Sequence, residues 1–254
     1  GNFGTANINS STISNNTGST IGGLYNVGTT NLKNTIIANS SPGVDCSRVS
    51  GSINASYSLI EEGLGCVDGT NSNNLIGDPQ LLPLANNGGP TQTHALCAGV
   101  GLPAGCTGAS PVYDKGNAFG LTLEQRGTGY PRTVNNPAIA PAAGGDNTDI
   151  GAYEIQNTPP TITPVVGLVR QRGTAVSNST IATVGDAETS PGSLPVTVNS
   201  GASATVNGVT VSNIVNTNGT ITANIVADCS ATTATFTLTV TDAGGLSTNA
   251  SLTV

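Results

Sequence analysis

Five carboxylates between residues 45 and 78 are the side chains best suited to acid–base chemistry: Asp45, Glu61, Glu62, Asp68 and Asp78. Cleavage of a polysaccharide needs two such groups, or one beside Arg or Lys, on the same face of a protein. Glu61 and Glu62 are adjacent, so in a strand they point to opposite faces. Asp78 lies in Gly77-Asp78-Pro79, where we expect it to cap a turn. We therefore predict that the protein is not an enzyme, with a polysaccharide lyase or hydrolase as the alternative.

Two further groups of residues have side chains that act in catalysis or metal binding elsewhere. His94 is the single histidine, and no Gly-x-Ser-x-Gly nucleophile elbow accompanies it, so we expect His94 to be buried and hydrogen bonded. Asp186 and Glu188 share one loop of the second half, and Asp242 lies in another. Calcium prefers several oxygens from such loops. Calcium at these three residues is the one cofactor that the sequence allows.

Much of the remaining charge lies between residues 114 and 154, in a segment rich in Gly, Pro and Ala. The residues are Asp114, Arg126, Arg132, Asp149 and Glu154. Arg side chains form bidentate pairs with carboxylates, so we predict salt bridges that hold this segment in place. A binding site for a sugar or a carboxylate is the alternative.

The five cysteines match no zinc-binding spacing. They suggest two local disulfides, Cys46–Cys66 and Cys97–Cys106, each of which closes a Gly-rich loop. We expect Cys229 to be a buried apolar residue of a strand, with a cross-link to another chain as the alternative. Asn-x-Ser/Thr sequons mark possible glycosylation in a secreted protein. They begin at Asn9, Asn15, Asn39, Asn54, Asn178, Asn218 and Asn249.

Composition excludes several classes of partner. The chain of 254 residues has a net charge of −7 and only seven Lys and Arg, whereas nucleic acids and anionic membranes require a cationic surface. It has no apolar run long enough for a transmembrane helix. Charged residues make up 8% of the chain, and Thr, Val, Ile, Asn and Gly are typical of strands and turns.

The first third of the chain contains an internal repeat. Thr12-Ile13-Ser14, Thr35-Ile36-Ile37 and Ser58-Leu59-Ile60 follow one another at intervals of 23 residues, and a shorter return appears at 74–77. Short strands at this period, without a helical pattern, are typical of a parallel β-helix in which equivalent strands stack. The first repeat has no visible predecessor, so we expect a longer stack upstream. Residues 83–154 break the repeat and are predicted to cap the stack.

Residues 75–96 read LIGDPQLLPLANNGGPTQTHAL and are followed by Gln125-Arg126-Gly127, Tyr130-Pro131-Arg132 and residues 149–154, DIGAYE. In this order they resemble the terminal signature of bacterial choice-of-anchor Q proteins, which are secreted parallel β-helix proteins. The resemblance covers roughly residues 10–154 and implies a secreted or cell-surface location, but no reaction. The chain departs from the family at 97–116, where an insertion bounded by Cys97 and Cys106 replaces the usual Gly-Ser-Pro-Ala-Ile-Asp-Ala-Gly.

The pattern changes after residue 156. Residues 157–160 read NTPP, and paired prolines predict a stiff linker. Beyond it, 235–241 alternates strictly between polar and apolar residues, and Asn207-Gly208 and Asn218-Gly219 are favoured hairpin turns. We predict an immunoglobulin-like β-sandwich over 161–254, whose last hairpin is similar to those of bacterial immunoglobulin-like and cadherin-like modules.

The sequence as a whole predicts an all-β protein. A right-handed parallel β-helix end with its cap occupies 1–156, a linker 157–160, and the sandwich 161–254. We expect a non-enzymatic structural or adhesive protein outside the cell or at its surface, whose partners are copies of itself, other surface proteins or glycans. Unpaired strand edges also allow self-assembly into a filament or sheath by strand addition.

Overall fold

The computed structural model describes residues 1–99 and 102–254, and the protein is all-β, as predicted. It forms two compact units, the first of Gly1–Ala98 with Leu102–Gln156 and the second containing Asn157–Val254. The predicted linker residues belong to the second unit, in which the Asn157 side chain donates to Asp242 and Thr158 donates to Glu188. Among the described residues, no helix is long and apolar enough to cross a membrane.

Short parallel strands make up the regular part of the first unit. Their bounds are β1 Thr5–Asn9, β2 Thr12–Ser14, β3 Ile21–Asn26, β4 Thr29–Lys33, β5 Ile36–Ala38, β6 Val44–Arg48, β7 Ser52–Ser56, β8 Leu59–Ile60, β9 Asn71–Ser72 and β10 Leu75–Ile76. They form three sheets, with orders β1-β4-β7-β9, β2-β5-β8-β10 and β3-β6. Strands of successive repeats are therefore neighbours in each sheet.

The register differs from the prediction in one place. Between β5 and β8 the interval is 23 residues, because Ile36 pairs with Leu59. Between β2 and β5 the predicted alignment is wrong by one residue, since Ile13 pairs with Ile37 and not with Ile36. A slip of one residue moves every side chain to the other face, so the pairing follows the faces on which the side chains lie. The shorter return is present, and Leu75 pairs with Leu59.

Strand β5 is buried on both faces. Ile37 faces the interior between the three sheets, where it packs in a core with Leu24, Leu32, Ile53, Ala55, Ile60 and Cys66. Its neighbour Ile36 faces outward into a second core, formed with residues of the capping segment: Leu96, Val112, Tyr113, Ile150 and Ile155. Consecutive aliphatic residues are typical of strands buried on both sides. The segment that follows the repeats therefore covers the outside of the β2-β5-β8-β10 sheet.

Glycine is required where the repeats approach one another most closely. A Cβ atom at Gly28 would lie 2.0 Å from the carbonyl oxygen of Gly4, and one at Gly51 would lie 1.9 Å from that of Gly28. Real Cβ atoms do not approach an oxygen so closely. The high glycine content thus follows in part from backbone packed directly on backbone.

The second unit consists of two antiparallel sheets. Its strands are β11 Thr161–Pro164, β12 Ser177–Gly185, β13 Val196–Val198, β14 Ala204–Val206, β15 Val209–Thr217, β16 Thr220–Ala227, β17 Thr235–Thr241 and β18 Ser247–Thr253. The sheet orders are β11-β12-β16-β15-β14 and β13-β17-β18. Both sheets contribute to one core, which includes Ile181, Ile221 and Phe236. The two predicted Asn-Gly turns join β14 to β15 and β15 to β16.

The interior core predicts the effect of removing one of its side chains. Ile53 is fully buried, so Ile53→Ala is expected to lower the free energy of unfolding of the first unit by about 2–5 kcal/mol. All five tyrosines lie in residues 1–156, so tyrosine fluorescence during urea unfolding reports on the first unit alone. The control is Ser52→Ala, at the outward-facing neighbour, with an expected change within about 0.5 kcal/mol. Equal losses for the two variants would contradict the orientation of β7.

Candidate functional site

The charged residues predicted in the capping segment lie inside the protein. Asp114, Arg132, Asp149 and Glu154 have no exposed surface, and Arg126 is 5% exposed. They gather where residues 149–152 pass over the repeats. There the Asn34 side chain donates to the Asp149 carbonyl, and the Gly151 N–H donates to the Asn34 carbonyl. The cluster therefore lies at the junction between the cap and the stacked strands.

The ion pair in this cluster is not one that the sequence predicted. Arg126 Nε lies 2.5 Å from Oε1 of Glu124, which was outside the predicted set. The Arg126 guanidinium also lies 4.0 Å from the ring centres of Tyr130 and Tyr153. Glu124 precedes Arg126 by two positions, so in an extended segment both point to the same side. This spacing is the signal from which the pair could have been found.

Arg132 forms hydrogen bonds to backbone carbonyls in place of the predicted salt bridge. Its Nη2 donates to the carbonyl oxygens of Asp149 and Gly151. The ion pairs within 4.0 Å among the described residues are Arg48–Asp68 and Arg126–Glu124, and neither includes Arg132. The positive charge of Arg132 still acts on Asp149 and Glu154 through the low-dielectric interior.

The buried carboxylates hold the backbone of the cap. Asp149 accepts the N–H groups of Asp114 and Ile155, each at 2.8 Å. Glu154 accepts the N–H groups of Val134 and Asp149, each at 2.9 Å. A buried N–H group without a partner is costly, and the cap has few regular strands that could supply one. The two carboxylates therefore replace a sheet as the acceptors for this segment.

Burial also changes the protonation of these groups. It raises the pKa of Asp114 to about 6, against the opposing effect of the N–H of Asn136. Burial raises the pKa of Asp149 to about 7, although two backbone N–H groups and Arg132 favour the ionised form. Burial, together with the neighbouring Asp149, raises the pKa of Glu154 as well. The cap is thus a place where proton binding and folding are coupled.

The carboxylates of the repeats also accept backbone hydrogens. Glu61 accepts the N–H of Asn39 at 2.6 Å, and Glu62 accepts the N–H of Asp45 at 3.1 Å. Both side chains therefore support one turn, although they are adjacent in sequence. Asp78 caps its own turn by accepting the N–H of Gln80 at 2.7 Å.

Three other carboxylates and the histidine have local partners. Asp68 pairs with Arg48 at 3.3 Å. In the second unit, Asp186 accepts from the backbone of Glu188, and Asp242 accepts from that of Leu246. No three His, Cys, Asp or Glu side chains of the described chain form a group that could hold a metal ion. Ring nitrogen Nδ1 of His94 lies 2.8 Å from the carbonyl oxygen of Leu82, and the side chain is half-buried where we had predicted full burial.

The cysteines form the two disulfides that their spacing suggested, Cys46–Cys66 and Cys97–Cys106. Such bonds are typical of proteins in an oxidising, extracellular environment. The buried position expected for Cys229 is wrong, because Cys229 is exposed in the turn that follows β16. The apolar pattern of β16 ends at Ala227, which is why the next residues leave the core.

The sequons divide into two groups by their surroundings. The exposed asparagines are Asn9, Asn15, Asn178, Asn218 and Asn249. Asn39 and Asn54 are half-buried, and their side-chain amides donate to Ser14 and Asn31. A glycan replaces one of the amide hydrogens, so these two positions are less suited to carry one.

No protein-family model, no curated protein and no solved structure matches this chain. The functional argument therefore depends on the residues themselves. The structure brings the five predicted cap residues together as a structural cluster, whereas the carboxylates of the repeats are distributed over separate turns.

The buried aspartates predict how stability depends on pH. In the unfolded chain an aspartate titrates near pH 4, so the folded protein binds more protons between about pH 4 and pH 7. The free energy of unfolding of the first unit should therefore fall as the pH rises from 5 to 7.5, as followed by tyrosine fluorescence in urea. Asp114→Asn should flatten this decline, since an asparagine tolerates the positive φ of 55° at this position.

The control for that experiment is Asp78→Asn, which alters an exposed carboxylate of the same unit. It should leave the slope with pH unchanged. A stability of the parent protein that increases between pH 5 and pH 7.5 would show that the buried aspartates are ionised in the folded state.

Proposed function

We propose that this protein is a non-enzymatic structural or adhesive protein of an extracellular surface. In this proposal the first unit is the end of a right-handed parallel β-helix with its cap, and the second is an immunoglobulin-like β-sandwich. The observation that carries it is the parallel pairing of equivalent strands in three sheets, in steps of 23 or 24 residues. A stack of this kind is a rigid scaffold whose surface is available for contacts.

The way in which polar groups are used supports a scaffold. The carboxylates Glu61, Glu62, Asp149 and Glu154 accept backbone N–H groups, so they stabilise turns. The disulfide Cys46–Cys66 joins β6 to the turn beyond β8, and a bond that closes such a loop contributes about 3 kcal/mol. The resemblance to choice-of-anchor Q proteins, which are secreted, agrees with this function.

A flow experiment tests the proposal. Beads that carry the protein are expected to remain on layers of intact cells or extracellular polysaccharide, and no new sugar ends should appear in the medium. Beads that carry reduced and alkylated protein should detach, because the loss of both disulfides destabilises the first unit. Equal detachment of native and bare beads would refute the adhesive role, and released sugar would refute the non-enzymatic one.

Unpaired strand edges favour a second candidate function, self-assembly into a filament or sheath. Strands β1, β2 and β3 each have a single partner, and β18 is an edge of its sheet. An exposed edge presents N–H and C=O groups that pair with a strand of another chain. A contact of this kind between unlike edges does not close, so it extends into a polymer.

Charge on the edge distinguishes self-assembly from a monomeric scaffold. If β1 pairs between copies, sedimentation velocity should show larger species as the protein concentration rises. The double variant Thr5→Lys, Asn9→Lys should suppress them, because lysines on an edge strand oppose pairing. Thr235→Lys, Thr237→Lys places the same charge on β17, which lies inside its sheet, and should have no effect. A single species at all concentrations would exclude this candidate.

A further inference from the structure

The outward-facing side chains of β1, β4 and β7 form a polar grid, called here the outer face. One row contains Asn7, Asn31 and Asn54, and the next contains Asn9, Lys33 and Ser56. The alternate residues of these strands point into the core, so the grid is fixed on a rigid sheet. Its positions are about 4.8 Å apart across strands and about 6.7 Å apart along them. Neighbouring hydroxyls of a sugar chain are separated on this scale.

The asparagine row has its amide groups oriented in advance. Asn31 Nδ2 donates to Asn7 Oδ1 at 2.8 Å, and Asn54 Nδ2 donates to Asn31 Oδ1 at 2.8 Å. The last oxygen, Asn54 Oδ1, accepts the N–H of Thr70. Each amide has two N–H groups and two lone pairs, so one donor and one acceptor per side chain remain for a ligand. Groups that are already oriented lose little freedom when a ligand binds.

An exposed aromatic ring borders the grid. The Phe119 ring is 41% exposed and lies 5.0 Å from Lys33 Nζ. Tyr57 contacts Phe119 edge to face, with ring centres 5.9 Å apart, and its hydroxyl donates to the Ala143 carbonyl. Tyr57 thus fixes the position of Phe119 while the Phe119 ring stays open to solvent. A pyranose presents an apolar face of C–H groups that stacks on such a ring.

Both aromatic residues have a strained backbone. Tyr57 and Phe119 have φ angles of 48° and 49°, which are unusual for bulky side chains. The equivalents of Tyr57 in the neighbouring turns are Asn34 and Asn73, a residue type that accepts this conformation readily. Strain of this kind is concentrated at functional sites. The hydroxyl of Tyr57 explains its place through the cap, but no comparable bond of the ring explains Phe119.

The charge of the outer face differs from that of the chain. The protein has a net charge of −7, yet the outer face carries Lys33 and no carboxylate. Within the residues described, no carboxylate lies within 4.0 Å of the Lys33 ammonium, whose recorded contact is the Phe119 ring. An anionic sugar would supply the missing negative charge.

We propose that the outer face, together with Phe119, binds an extended polysaccharide that contains uronic acids. The sugar hydroxyls bond to Asn7, Asn31 and Asn54, a pyranose ring stacks on Phe119, and a carboxylate lies at Lys33. This inference rests on the adhesive function proposed above and names the partner of that adhesion. It differs from a catalytic site because the face offers oriented amides and one cation, and no acid–base pair.

Binding of end-labelled oligosaccharides in solution tests the site. Homogalacturonan and alginate oligosaccharides are compared with the same oligosaccharides after reduction of their carboxyl groups. The full chain should bind at least one anionic form more tightly than its reduced counterpart, and added salt should weaken this binding. Lys33→Gln should lower the affinity about three- to fivefold. Phe119→Leu, which keeps an apolar side chain, should lower it by about fivefold.

Matched controls separate the site from general effects. Arg172→Gln removes an exposed cation of the second unit and should leave binding unchanged, and unaltered urea midpoints by tyrosine fluorescence show that each variant is folded. The inference is overturned if no anionic form binds, if the reduced forms bind equally, or if either site variant binds like the parent. If beads are retained on cells while these oligosaccharides do not bind, the adhesive function stands and the glycan site falls. If neither occurs, both fall.

Discussion

Strand β5 must be covered on two sides, and the organisation of the first unit depends on this requirement. Ile37 packs between the three sheets, whereas its neighbour Ile36 points away from them. Full burial of such a side chain contributes about 1.5–3 kcal/mol, so an uncovered Ile36, together with Leu59 beside it, would expose much of what stabilises the stack. The capping segment provides the cover through Val112, Ile150 and Ile155.

A cover with few regular strands creates a second requirement. The cap passes through many turns, so its backbone N–H groups lack the partners that a sheet would supply. Asp149 and Glu154 accept four of them from inside the protein. Burying these charges opposes ionisation, and this is why their pKa values are raised. The apolar pattern of the repeats is thus connected, through the cap, to the response of the protein to pH.

Local patterns were readable from the sequence, and features set by the path of the cap were not. The Asn-Gly hairpins and the short disulfide loops involve residues close in the chain, so spacing is sufficient to predict them. The register of β2 required knowledge of which isoleucine of β5 faces the interior. The partner of Arg126 depended on how the backbone folds between Leu123 and Tyr130. The polar face beside Phe119 joins residues that are distant in sequence, and no pattern connects them.

The same cover decides where a partner can approach the stack. The sheet β2-β5-β8-β10 lies beneath the cap, and its outward side chains are part of a core. The sheet of β1, β4 and β7 keeps its outer side chains polar because nothing covers them, as the alternation of buried and exposed residues in β1 and β4 shows. Phe119 belongs to the cap, yet it contacts Lys33 and Tyr57 at the border of this open sheet. The segment that closes one face therefore also supplies the aromatic edge of the other, and stability and recognition depend on the same fold of the cap.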